Sequence, residues 1–411
     1  MKKLTKNAFN EYKIALSSSS KDVRLFIFGN LLFGIGVNLI GLLFNLYCKS
    51  LSFTESAIGK LLSSRAFGSA LVTLPAAFLL SRINLRYLFT IVPIFTGFFY
   101  LAIALNNNFP ILVSLTLLTG AFSTFFSVAA GPFIMNNTKV EHQMHFFSLN
   151  GAIGMLTGVI GNIIGGFFRD ISLYFVKNEL LSYKLSIGFG ALIILFSTLI
   201  FSKIKYVKIE KSTNKAIFSV SNWKIYFKLL LPALFIGIGA GLTIPYINLY
   251  FKLEFNMSDS LIGIVYGISQ FFTFLGIMLG PVLARRLGKP ITIVVTQGIS
   301  IPFILILTYI KNPIFVVLAF FIRGTLMNMA SPLSDNFALE NVPKNEQSLM
   351  NALKMFVWTS SWMISARISG STIESKGFAY SFTLTAIMYA ISTLFFSIFF
   401  IKTPKKSIDK I

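Results

Sequence analysis

Acid is what this sequence lacks: 36 Lys and Arg face only 14 Asp and Glu, for a formal net charge of +22. Cysteine is nearly absent as well, and Cys48 alone excludes an intramolecular disulfide. There are two histidines, His142 and His145, both in "VEHQMHFF", which reads as a solvated loop with nothing nearby to complete a metal ligand set. The Walker phosphate loop, the Gly-x-Ser-x-Gly elbow and the His-Glu-x-x-His helix are all missing. Without these the chain does not read as an enzyme, and no cofactor is expected.

Charge of either sign is scarce too, at 12% of residues, where a soluble domain carries about a quarter. Apolar residues fill the space, at 55% of the chain and a mean hydropathy of +0.76. Runs long enough to cross ~30 Å of hydrocarbon fall at about 24–48, 56–80, 87–106, 110–134, 147–168, 184–202, 224–251, 260–284, 291–310, 313–334, 348–371 and 378–401. A membrane strand needs only ~9–11 residues, and lipid offers no partner to an open backbone, so each run reads as a helix. The expected fold is an all-α integral membrane protein of twelve transmembrane helices.

The basic residues punctuate the ends of these runs and form no groove-sized patch, so nucleic acid is not an expected partner. With the N-terminus inside, 23 Lys and Arg fall in inner segments, 7 in outer loops and 6 within spans. That is the positive-inside pattern, and it predicts a multi-pass protein of the cell membrane with both termini cytoplasmic. Residues 1–23 form a polar leader without the core of a signal peptide. Residues 24–202 and 224–401 are the two six-helix bundles, 203–223 a basic linker and 402–411 a tail. The linker's cations also suit anionic lipid headgroups.

The halves repeat. "GIGVNLIGLLFNLYCK", Gly34 to Lys49, matches "GIGAGLTIPYINLYFK", Gly237 to Lys252, at eight of sixteen positions and a 203-residue offset. At an offset of 204, Ile58 and Gly59 match Ile262 and Gly263, Arg82 matches Arg286, and Gly120 matches Gly324. Six spans separate the copies, so both cross in the same direction: a parallel repeat about an axis along the membrane normal. Tyr47 and Tyr250 fall at outer span ends, where interfacial tyrosines are expected.

Three short patterns carry a resemblance to the major facilitator superfamily, and it covers essentially the whole chain. The loop after the second span, "AFLLSRINLR", keeps the family's Arg82 and Arg86 but has Ser81 for its Asp. The corresponding "PVLARRLGKP" keeps Arg286, Gly288 and Lys289. Span five carries "GNIIGG", with Gly161, Gly165 and Gly166 in place and Asn162 where the family's antiporter pattern has proline. The resemblance implies two bundles rocking about a central small-molecule site. The loop arginines also serve plain topology. The span-five glycines, with the Gly154–Gly158 and Gly161–Gly165 spacings, also suit close helix approach.

Charges within spans are costly and usually face a cavity. Of Lys60, Arg65, Lys228, Arg323, Lys354 and Arg367, those near span ends snorkel; Arg65 and Arg323 sit ~15 Å in, and Lys354 ~10 Å. These three are the candidate ligands for an anionic solute, against the alternative of pairing with backbone carbonyls. Asn38, Thr243, Tyr246, Gln270, Asn328 and Trp358 are further candidate liners, each also explicable by packing, and Lys354 is four residues from Trp358, a cation–π spacing. Pro245 removes a helical hydrogen bond among them. No carboxylate lies deep in a span, which weakens simple proton symport and leaves helix-mouth groups such as Asp335 and Glu340. The expected function is transport of a small anion, such as a phosphorylated or carboxylated metabolite, or of a sugar, by a monomer in the bilayer. Efflux of hydrophobic compounds, suggested by 45 Phe, and a non-transporting sensor or assembly protein are the alternatives. The positions at which the halves differ are the informative ones: Asn38 against Gly241, Arg65 against Ser269, Thr119 against Arg323.

Overall fold

A computed structural model describes residues 19–79, 85–138, 140–205 and 220–401. All secondary structure among them is helical. In chain order the helices are α1 Lys21–Ser50, α2 Glu55–Leu79, α3 Leu85–Leu105, α4 Phe109–Asn137, α5 Val140–Val176 and α6 Glu179–Phe201. The second half begins with α7 Trp223–Thr243, which passes through a 3-10 turn, Ile244–Tyr246, and resumes as Ile247–Phe255. Then come α8 Asp259–Leu287, α9 Lys289–Tyr309, α10 Pro313–Glu340 and the long trace Gln347–Phe400. That trace is broken at Gly377, whose φ of +79° is a conformation side-chain-bearing residues rarely adopt, into α11 (347–376) and α12 (378–400).

Among the described residues, ten apolar segments are long enough to cross a membrane by length and composition, the last of them spanning both α11 and α12. With that division and the 25-residue α2, the described residues hold twelve helices in the expected order. Asparagines start several of them. Asn108 and Asn312 accept from the amides of Ile111 and Ile314, each just before a proline whose missing N–H costs a first turn nothing.

The chain divides into two compact units that do not follow the midpoint of the sequence. The described residues of 1–53, 64–213 and 251–270 form one; those of 54–63, 214–250 and 271–411 form the other. In the first, α1 packs on α5 and α6, and α3 on α4 and α6. Five rings, Phe26, Phe89, Phe126, Phe133 and Phe201, make its aromatic core, with Phe26 and Phe133 centroids 4.5 Å apart. In the second, α7 packs on α11 and α12, and α9 on α10 and α12. Large apolar side chains such as Phe98, Leu192, Phe227 and Met278 stay more than half exposed, a surface suited to lipid.

Each copy of the repeated sentence builds the same joint. A Cβ on Gly34 would meet Thr157 of α5, and one on Gly237 would meet Ser361 of α11. A Cβ on Gly36 would strike the Gly190 carbonyl of α6, and one on Gly239 the Tyr389 ring of α12. The tyrosines match as well: Tyr47 donates to the Ile103 carbonyl at 2.9 Å and Tyr250 to the Leu307 carbonyl at 2.5 Å. This corrects the expectation of interfacial tyrosines, because both are buried, at 0% and 3% exposure, and their hydroxyls tie α1 to α3 and α7 to α9.

Three other expectations change. α5 runs well past 147–168, so His142 and His145 lie on a helix and not in a loop, with ring centroids 6.3 Å apart. Arg169, one residue past the expected 147–168 span and so among the seven cations counted in outer loops, is a buried helical residue, its charge answered by neighbouring carboxylates. Gly154 has open space where a Cβ would be, so it makes no close approach, while Gly158 packs under the Gln270 side chain.

Candidate functional site

Within the second unit, α7, α9, α10, α11 and α12 enclose a cavity of about 390 Å³, within the range of small-molecule sites. Arg323, Asn328, Lys354 and Trp358 from the sequence candidates line it, joined by Gln297, Asp335 and Tyr389. Most of the remaining wall is apolar, with Met327, Met355, Ile236 and Phe396 among it.

Arg323 is the chemical centre. It is 3% exposed, donates through Nη2 to the Tyr389 hydroxyl, and holds its Cζ 5.4 Å from the centre of that ring. No carboxylate among the described residues pairs with it, and its Nε has no hydrogen-bond partner. Lys354 differs. Its Nζ lies 2.6 Å from Asp335 Oδ1 and 3.3 Å from Ser334 Oγ, so it turns to α10 and its charge is answered there, not at Trp358. Trp358 keeps 41% of its surface exposed and tilts against Trp362 at 6.1 Å. Asn328 donates to the Gly324 carbonyl one turn back, at 2.8 Å. Gln297 is 8% exposed, and its Oε1 has no hydrogen-bond partner among the described residues.

The remaining candidates are placed elsewhere. Thr243 shares a 2.6 Å hydrogen bond with Thr385, and Tyr246 donates to the Ala366 carbonyl at 2.7 Å; both are buried. Pro245 falls in the 3-10 turn between them. Asn38, Arg65 and Gln270 belong to the first unit. Asn38 donates to the Gly34 carbonyl and to Thr157, and the backbone of Arg65 lies against Gly120.

The first unit holds a buried ionic cluster of its own. Asp259, with no exposed surface, lies 2.7 Å from Arg169 Nε and 2.8 Å from Lys252 Nζ. Arg169 also reaches Asp170 at 3.1 Å and Glu179 at 3.2 Å and sits over the Tyr183 ring, while Asp170 accepts from the Ser260 amide. These charges stand at helix ends in the sequence and look like loop residues there. Only the fold shows Arg169 and Asp259 buried.

A family model described as the Major Facilitator Superfamily matches residues 26–366 and 229–411. The chain belongs to the major facilitator superfamily. Solved structures of similar fold include a bacterial homologue of the human lysosomal transporter Spinster in an inward-facing, occupied state (TM-score 0.76, 13% identity, 92% of this chain and 95% of that one). The nucleoside transporter NupG (0.75, 14%, 94% and 100%) and a bacterial homologue of the iron transporter ferroportin (0.69, 15%, 92% and 98%) are two more. At such identities the likeness is one of fold. No curated protein matches the sequence.

The superfamily's short patterns have plain structural jobs here. Gly288 takes a φ of +84° to start α9, and Lys289 reaches Asn336 and Glu340 of α10, the latter at 2.5 Å. Arg286 ends α8, and Arg86 is half-buried in the first turn of α3; Arg82 lies outside the described residues. In α5, Gly161 and Gly165 pack on α1, Gly166 meets the Asp259 backbone, and Asn162 is buried with its carbonyl against Gly263.

Proposed function

We propose that this superfamily member is a secondary transporter that carries a small anionic solute across the cell membrane, alternating access by rocking. One observation carries the reading: Arg323 is buried in a solute-sized cavity with no carboxylate among the described residues paired to it. An unpaired buried charge costs several kcal/mol, and a bound anion is a partner that removes that cost. The Lys and Arg distribution supports cytoplasmic termini, and the reading takes a monomer as the working unit.

The test is uptake into proteoliposomes together with thermal stabilisation of the purified protein by a panel of anions, sugars and cationic drugs. An anion should stabilise the wild type, and Arg323→Ala should weaken its binding by about 1.5–3 kcal/mol, roughly 10- to 150-fold. Unchanged affinity and flux in Arg323→Ala would refute the anion reading. Binding without flux would point to a sensor.

A further inference from the structure

Four helix ends match in pairs. At the 204-residue offset Asp170 corresponds to Glu374, Ser56 to Ser260 and Gly166 to Gly370. In the first unit, Asp170 near the end of α5 accepts from the Ser260 amide of α8 at 2.8 Å and from its hydroxyl, and a Cβ on Gly166 would strike the Asp259 carbonyl. In the second, Glu374 near the end of α11 accepts from the Ser56 amide of α2 at 3.0 Å, and a Cβ on Gly370 would strike the Glu55 carbonyl. The match runs one turn further. A Cβ on Gly263 would meet the Asn162 carbonyl, and one on Gly59 the Ala366 carbonyl, again 204 residues on. Each half of the sequence therefore carries a carboxylate that caps a helix of the other half.

Both joints fall on one face. α2 begins after one crossing, α5 ends after five, α8 begins after seven and α11 ends after eleven, so all four ends lie opposite the termini. A carboxylate at a helix N-terminus takes up N–H groups that the helix itself leaves unbonded and meets the positive end of its dipole. Water can take the same N–H groups, so such a cap holds two elements without fixing them. Glycine beside each cap leaves no side chain to disengage when the backbones part, as sliding helices require.

We infer that Asp170 and Glu374 are twin latches that hold the sequence halves together on the face opposite the termini and release as one event. The inference rests on reading the chain as a transporter whose halves rock. The joints are not equal: Ile373 stands where Arg169 does, so the second lacks the ion pair to Asp259 and is the simpler one to perturb.

The experiment is hydrogen–deuterium exchange on the full purified chain in detergent. Glu374→Ala should raise amide exchange about three-fold or more at 54–60, its own joint, and by a similar factor at 258–264, in the other. Asp170→Ala should do the reverse. A rise confined to the altered joint overturns the inference. A second variant works in the opposite direction. The hydroxyls of Ser56 and Ser371 lie 3.0 Å apart, so Ser56→Cys with Ser371→Cys can be oxidised to a cross-link, with the buried Cys48 left in place. The closed bond should slow exchange at 258–264 about three-fold or more, and unchanged exchange there overturns the inference. Because the cross-link tightens the chain, it reads the coupling even where Glu374→Ala also loosens 39–47 of α1. Exchange needs no solute. Coupled joints without flux in the proteoliposome panel would uphold the latches and overturn transport, and flux with uncoupled joints would do the opposite.

Discussion

A guanidinium keeps its charge in any protein environment, so burying one forces the surroundings to respond. The two arginines buried among the described residues receive opposite answers. Arg169 has carboxylates at 2.7, 3.1 and 3.2 Å, whereas Arg323 has a tyrosine hydroxyl and a cavity. The first arrangement is structural, and breaking it exposes its worth. Asp259→Asn leaves Arg169 and Lys252 short of a counter-charge and should destabilise the folded protein by about 3–5 kcal/mol, read as a fall in the detergent unfolding midpoint. A change below about 1 kcal/mol would mean that water or the neighbouring acids already serve those cations. Neutral bonds are worth less: Tyr47→Phe and Tyr250→Phe should each cost about 0.5–1.5 kcal/mol. Because the two tyrosines lie in separate units, the losses should add, and a double variant departing from the sum by more than about 0.5 kcal/mol would contradict that independence.

At the level of helices, closeness of approach is set by glycine. Gly36→Ala would push a Cβ into the Gly190 carbonyl, while Gly41→Ala on the same helix enters open space. The first should destabilise by about 1–3 kcal/mol, as overpacking does, and the second should be neutral or slightly stabilising through helix propensity. Unfolding midpoints of the two variants check this, and equal midpoints would remove the packing argument. Helix existence was legible in the sequence because lipid demands long apolar runs; helix length was not, because Arg169 and Asp170 look like a loop until their partners are known. The site divides in the same way. Arg323 was visible as a charge deep in a span and as a position where the halves differ. Gln297 was not singled out, although at the 204-residue offset it stands opposite Pro93 and the same comparison of halves marks it. The carboxylate partner of Lys354, and the tyrosine that stands in place of one at Arg323, depend on how α10, α11 and α12 meet, which no single segment encodes.

Over the whole molecule, each sequence half lends a segment to the compact unit built mainly by the other: 54–63 goes one way and 251–270 the other. The second loan is tightly made, with Gly166 against the Asp259 backbone, Gly263 against the Asn162 carbonyl, and Arg169 on Asp259. Expressed as separate chains, 1–213 and 214–411 should therefore capture each other, and a tag on one should retrieve the other from detergent. Gly166→Leu should abolish that recovery, and undiminished recovery would mean that these contacts do not hold the segment. The matched tyrosine bonds give the molecule one more property, a reference carried within itself. Fluorine on the rings of Tyr47 and Tyr250 would report the same kind of joint, a tyrosine hydroxyl on a neighbouring helix's carbonyl, once in each unit from one sample. A resonance change common to both would then belong to solvent or temperature, and one confined to Tyr250 to the unit that holds the cavity.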